Sequence, residues 1–363
     1  MSGVYNGKRI IYASAIIVAV ALVIAAGILL YVRYEHRIRF NHLILQAESS
    51  YHEYNYDTAI TAASDAISFA PTRADADLAK YYVAASLYNR GNSKDTVTSI
   101  TLLKSIIADP AASAQLKSSA YIRLGLLYSP SGVNSSLNKL VFSGPPYSDY
   151  LASAKGNMGK ATLSLYEKAN ELYPSAAANY AIAASQAMGI YTQGINVKDP
   201  TQLQVAQAVQ RTVANGDALL AAGSSTLAQL PQLYMLRSFA LSTASYYVPE
   251  ISPQIVDSSY EHALSLMNAA STSISYLKLT TVMLNLTYAA SLVEREPGAQ
   301  NTKISSLLSD FLNETNAFPT LLPQNVLAIR AYKPGTPILD AIPKLAKLYP
   351  PFAAYLVQIG WNK

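Results

Sequence analysis

The sequence predicts an all-α protein in which one long apolar helix precedes a series of packed helices. Three observations carry this. A single run, Ile10 to Val32, contains no charged residue. The remainder is rich in Ala, Tyr, Leu and Ser at helical spacing and is broken at intervals by Gly and Pro. No alternating run of β-branched residues lies between turn signals, so almost no sheet is expected.

The apolar run comes first. At 1.5 Å per residue it would extend about 35 Å, against a bilayer core of about 30 Å. Lys8 and Arg9 flank one end, and Arg33, Arg37 and Arg39 the other. Tyr12, Tyr31 and Tyr34 fall at interfacial depth, where a ring stays apolar and its hydroxyl wet. The expectation is a short tail at 1–9, a single transmembrane helix at 10–32 and a basic juxtamembrane segment at 33–45. A cleaved signal peptide is the alternative, but its apolar core would be shorter. Lysine and arginine nearly balance across the span, so orientation leans on the body's low charge. That leaning puts the N-terminus in the cytoplasm and the C-terminal body outside it. Small residues spaced four apart, Ala15/Ala19 and Ala21/Ala25, would let two such helices approach, so homo-oligomerisation is one open partner reading.

Charge excludes one function class. The formal net charge is +5, yet the basic excess sits at the two ends, leaving the body mildly acidic. Nucleic-acid binding calls for a basic stripe along the body, so no nucleic-acid partner is expected.

The body carries a repeating pattern. One helix reads Tyr121-x₂-Leu124-Gly125-x₂-Tyr128, with looser copies at Tyr81-x₂-Ala84-Ala85-x₂-Tyr88 and Tyr180-x₂-Ala183-Ala184-x₂-Ala187. Ala59, Ala66 and Pro71 form a second type of segment. So does the stretch from Tyr166 through Ala169 to Pro174, and a further copy starts at Tyr260. Pro71 and Pro174 lie close to three units of about 34 residues apart. These motifs resemble the tetratricopeptide repeat (TPR) superfamily, well over about residues 46–190 and loosely beyond. The resemblance implies a TPR-like α-solenoid of antiparallel helix pairs following the transmembrane helix. The small residue would let two helices cross closely, and the aromatic would fill the space between units. Ala59, Ala66, Pro71, Tyr121, Leu124, Gly125, Tyr128, Tyr166, Ala169 and Pro174 are its expected repeat-packing residues. The implied organisation is repeats over 46–200, degenerate repeats over 201–320, and a proline-rich capping segment at 321–363 that closes the exposed core.

An insertion at 130–158 separates a strong first helix from a strong second one. Insertions in repeat arrays emerge on one face, which often binds partners. Leu137, Phe142, Tyr147 and Tyr150 are its candidate partner-binding residues, with packing onto its own repeat as the alternative.

Catalytic constellations are missing from the pattern. There is no cysteine for thiol chemistry. His42 and His52, with Glu48 and Glu53 nearby, lack the H-E-x-x-H spacing of a metal helix. The Gly156 to Lys160 stretch lacks the full phosphate-loop spacing, with Ala161 where Ser or Thr belongs. No enzyme activity, cofactor or metal is expected. What remains is surface: 27 tyrosines against 7 phenylalanines supply apolar area that also carries hydroxyls. The functional expectation is a non-enzymatic, membrane-anchored scaffold that binds protein partners, with secretion or envelope and surface assembly as fitting processes. The alternative is a structural protein that self-assembles into an extracellular layer or filament.

Overall fold

The computed structural model describes residues 3–90, 93–126, 139–193, 196–223, 227, 230–269 and 288, with the side chains of 3–19, 93, 191, 192, 230 and 267–269 outside that description. The described residues are all-α, without strands. The elements run α1 (Gly3–His52), α2 (Tyr56–Phe69), α3 (Arg73–Arg90), α4 (Ser93–Ala108), α5 (Ala114–Leu126) and α6 (Tyr147–Ser153). They continue as α7 (Met158–Leu172), α8 (Ala176–Gln193), α9 (Pro200–Ala221), α10 (Leu230–Ala244) and α11 (Pro253–Ala269).

The sequence marks most of the starts. Asn55 caps α2 by accepting from the Thr58 amide at 3.3 Å, and Asn157 caps α7 through the Lys160 amide at 3.0 Å. Ser175 does the same for α8 at 3.2 Å. Before α3, Thr72 and Asp75 exchange hydrogen bonds, backbone amide to hydroxyl at 3.1 Å and hydroxyl to carboxylate at 2.7 Å. Each cap gives a partner to an amide that the first helical turn cannot satisfy. Asp199 caps α9, and Pro200 opens it, where a missing N–H is harmless. The Gly156 to Lys160 stretch therefore holds a turn and a cap: Gly156 takes a positive φ of 79° and Asn157 starts the next helix.

Helices pack on one another in chain order except that α5 passes over α6 to pack on α7, and α1 also meets α3, α3 meets α5, α5 meets α8, and α8 meets α10. Alanine makes these approaches close. Ala59, Ala63, Ala66, Ala79, Ala84 and Ala85 are fully buried on α2 and α3. Ion pairs tie the turns: Arg90, ending α3, reaches exposed Asp57 of α2 at 2.6 Å and buried Asp95 of α4 at 2.7 Å. The open Asp57 pair contributes little. The buried apolar face supplies most of the stabilisation.

α1 departs from the expected division. It is one continuous helix through the segments expected as span, basic collar and first repeat. Its last turns bury Phe40, Ile44, Ala47 and Tyr51, a helical stripe against α2 and α3. Further up, Val20, Leu22 to Ile24, Ile28 to Val32 and Tyr34 are exposed. The single-pass localisation needs correcting. Among the described residues no helix is long and apolar enough to cross a membrane. The cytoplasmic N-terminus and extracytoplasmic body were inferred from that span and fall with it. The expected capping segment at 321–363 and most of the degenerate repeats beyond 269 lie outside the described residues.

Candidate functional site

The expected packing residues divide by role. Ala59, Ala66, Leu124 and Ala169 are fully buried, and Tyr121 and Tyr166 nearly so. Gly125 of α5 faces the ring of Tyr166 of α7 so closely that a Cβ there would overlap ring carbons Cε1 and Cζ. The same device recurs where the motif is weaker. A Cβ on Gly216 of α9 would come 2.6 Å from the Tyr180 ring of α8. Pro71 and Pro174 are exposed in the breaks after α2 and α7, so they end helices rather than pack them. Tyr128 lies outside the described residues.

The insertion turns inward where it is described. Phe142 and Tyr147 are buried and Tyr150 half-buried. Tyr147 packs 6.4 Å from the Tyr121 ring. Lys104 of α4 reaches across, donating to the carbonyls of Leu140 at 2.7 Å and Ser143 at 2.8 Å, with its ammonium 4.5 Å from the Tyr147 ring centroid. The aromatic residues expected to offer a partner surface instead hold the insertion on its own neighbours. Leu137 lies outside the described residues.

The N-terminal tyrosines are likewise internal. Tyr51, Tyr81 and Tyr82 are buried around Arg123, the largest buried side chain. Arg123 donates to the Tyr51 hydroxyl at 2.5 Å, to Gln232 at 3.1 Å and to Asn89 at 3.4 Å. Gln232 donates in turn to Asn89 at 3.2 Å, and Asn89 to the Tyr56 hydroxyl at 3.2 Å. This polar core joins α1, α2, α3, α5 and α10. Burial opposes the charge on Arg123, while the oxygens of Tyr51, Tyr81 and Tyr88 favour it strongly enough to keep the guanidinium protonated. Burial likewise raises the Tyr51 and Tyr82 hydroxyls, which stay neutral. A buried charge without its hydrogen bonds is costly, so these partners fix the geometry of five helices at once.

An open cleft remains at the other end, about 490 Å³, lined by α8, α9, α10 and α11. Tyr180, Leu220 and Tyr234 form its apolar walls. Its floor is an ion pair held in two places: Arg237 grips Asp217 through Nε at 2.7 Å and Nη2 at 2.8 Å. Tyr180 donates to the same carboxylate at 2.6 Å, and Arg237 Nη1 donates to Ser259 at 2.8 Å. Burial pushes the Asp217 carboxyl up, but the bonds from Arg237 and Tyr180 and the arginine charge outweigh it and hold it below its usual range. Exposed His262 meets the Tyr234 ring edge-on at 4.3 Å. Gly216 sets this geometry by letting α9 close onto Tyr180.

Sequence reasoning singled out Tyr180 only as a repeat position. Asp217, Tyr234 and Arg237 were missed. The one available signal was Arg123 inside the Tyr121 to Gly125 motif, a cation on an otherwise apolar face. Among the described residues no group of three or more His, Asp or Glu could hold a metal, and His52 instead packs edge-on against Tyr51. No known protein family, curated protein or solved structure matches this chain.

Proposed function

We propose that this protein is a non-enzymatic scaffold, a TPR-like α-solenoid of antiparallel helix pairs that holds protein partners. The observation carrying this reading is the cleft, whose walls come from four consecutive helices rather than from one loop. Clefts of roughly 300–1,000 Å³ with apolar walls and a few fixed polar groups are common binding sites. The two Gly–Tyr approaches support the repeat reading, because they place a small residue of one helix against an aromatic of another, as the motif implies.

The test is a photo-crosslinking amino acid placed at Leu220 in the cleft and, separately, at exposed Val97 on α4. The scaffold reading expects a heterologous protein adduct at Leu220 and none at Val97. Equal labelling at both, or no adduct at Leu220, sinks it.

A second reading, self-assembly, is favoured by the exposed apolar side chains along residues 20–34 of α1, which find cover only against another surface. Homotypic crosslinks from Leu29 that persist on dilution would favour it over the scaffold.

A further inference from the structure

Resting on the scaffold reading, the cleft's composition narrows what it takes. Its one acid and its one arginine are already paired. Arg237 Nε and Nη2 close on the two carboxylate oxygens of Asp217, and Tyr180 adds a third bond to that carboxylate. The fixed charges of the lining therefore cancel at the floor, and a charged ligand would have to break this pair or sit uncompensated against it.

The remaining polar capacity is mostly donor. A guanidinium carries five N–H groups. Three of those on Arg237 are used, two on Asp217 and one on Ser259. Ser259 accepts that bond and keeps its own hydroxyl proton. Tyr234 is half-buried, and neither its hydroxyl nor the His262 imidazole has a hydrogen-bond partner among the described residues. Ser258 spends its hydroxyl on the Ile255 carbonyl at 3.2 Å. Around these donors stand Tyr180, Leu220, Ala221 and the Tyr234 ring.

We infer that the cleft between α8, α9, α10 and α11 takes an uncharged, extended peptide segment of a protein partner. An apolar side chain seats among Tyr180, Leu220 and Tyr234, and main-chain carbonyls accept from Tyr234, His262 and the spare N–H groups of Arg237. A peptide backbone supplies acceptors without net charge, which is what the lining leaves unmet. Tyr234 and His262 can also accept, so the peptide's own N–H groups find partners there.

The experiment is selection of a random displayed-peptide library on the full chain. Affinities of the enriched synthetic peptides are then measured for the wild type, Tyr234→Phe and His262→Phe. Neither substituted group bonds within the described protein, so both variants keep the fold, which circular dichroism checks. The inference expects enriched peptides without net charge and with a large apolar residue. Their affinity should change less than about twofold between low and high salt. Each variant should weaken them roughly three- to tenfold, the loss of one hydrogen bond. Acidic or basic peptides that are steeply salt-dependent and still weakened by the variants overturn the inference and leave the scaffold reading standing. Enrichment of no peptide, or of peptides indifferent to both variants, overturns the scaffold reading at this cleft and the inference with it.

Discussion

Gly125 lies against the ring of Tyr166, with a hypothetical Cβ only 2.6 Å from the ring carbon Cζ and closer still to Cε1. The ring has nowhere to go, because Tyr166 is 5% exposed and enclosed by α5 and α7. Gly125→Ala should therefore destabilise the protein by about 1–3 kcal/mol, the range for overpacking. This holds although alanine gains about 0.5–1 kcal/mol of helix propensity over glycine. Urea unfolding of Gly125→Ala, Tyr166→Ala and the double variant checks it. The double variant should lose markedly less than the sum of the singles, since removing the ring removes the overlap. Strict additivity would show that the two residues do not meet.

Arg123 is the second point where one side chain governs several helices. Arg123→Ala leaves the Tyr51 hydroxyl, Asn89 and Gln232 buried with fewer partners. The expected loss is about 3 kcal/mol or more, given the cost of unpaired buried polar groups. Arg123→Lys should recover little, because an ammonium cannot reproduce the planar fork that serves three acceptors in fixed directions. Thermal unfolding of both variants measures this, and a lysine variant at wild-type stability would refute it.

These two features also mark how far the sequence was legible. Gly125 and Tyr166 could be read because each sits in a short motif whose spacing is set by one helix. The caps at Asn55, Asn157 and Asp199 rest on equally local chemistry, because a cap acts within the first turn. Arg123 draws its partners from 34, 72 and 109 residues away, separations at which no helical period carries information. Asp217 and Arg237 meet from different helices for the same reason. The insertion could be read either way, because Phe142 and Tyr147 have the composition of a binding surface and of a packed one alike. Both are buried, and Lys104 of another helix lies over the Tyr147 ring. The apolar run at 10–32 was legible as a helix, and the helix is there. Its role as a span was not carried by the described residues.

The cleft floor predicts a pH dependence. Asp217 has its folded pKa held below its ordinary 3.8, so its ionised form is favoured in the folded state. The stability it contributes is present above about pH 4 and is lost as pH falls through the folded value, since the unfolded chain then binds the proton first. Asp217→Asn should flatten that part of the acid limb while leaving its neutral plateau lower. The plateau should drop by about 1 kcal/mol, modest because the carboxylate is 40% exposed and solvent screens it. Stability measured from pH 2 to 7 for both proteins decides it. An unchanged acid slope in the variant counts against the assignment.

Lys104 gives the last prediction, on local rather than global stability. Its ammonium crosses from α4 to donate to the carbonyls of Leu140 and Ser143 and to the Ser143 hydroxyl, and it lies over the Tyr147 ring. The Ser143 amide donates to the Leu140 carbonyl at 3.3 Å, and Lys104 is what ties this turn to another helix. The lysine therefore supplies much of what holds this stretch to the repeat. Lys104→Met keeps the stem's packing and removes the three bonds. The expected result is faster amide exchange over 139–153 with little change in α2, α3 or α8, because opening here needs no other helix to separate. Global unfolding should shift by only about 1–2 kcal/mol, since the bonds are partly solvent-exposed. Hydrogen exchange read by mass spectrometry distinguishes the two scales. Equal acceleration across all helices would mean that Lys104 supports the whole stack and not the insertion alone.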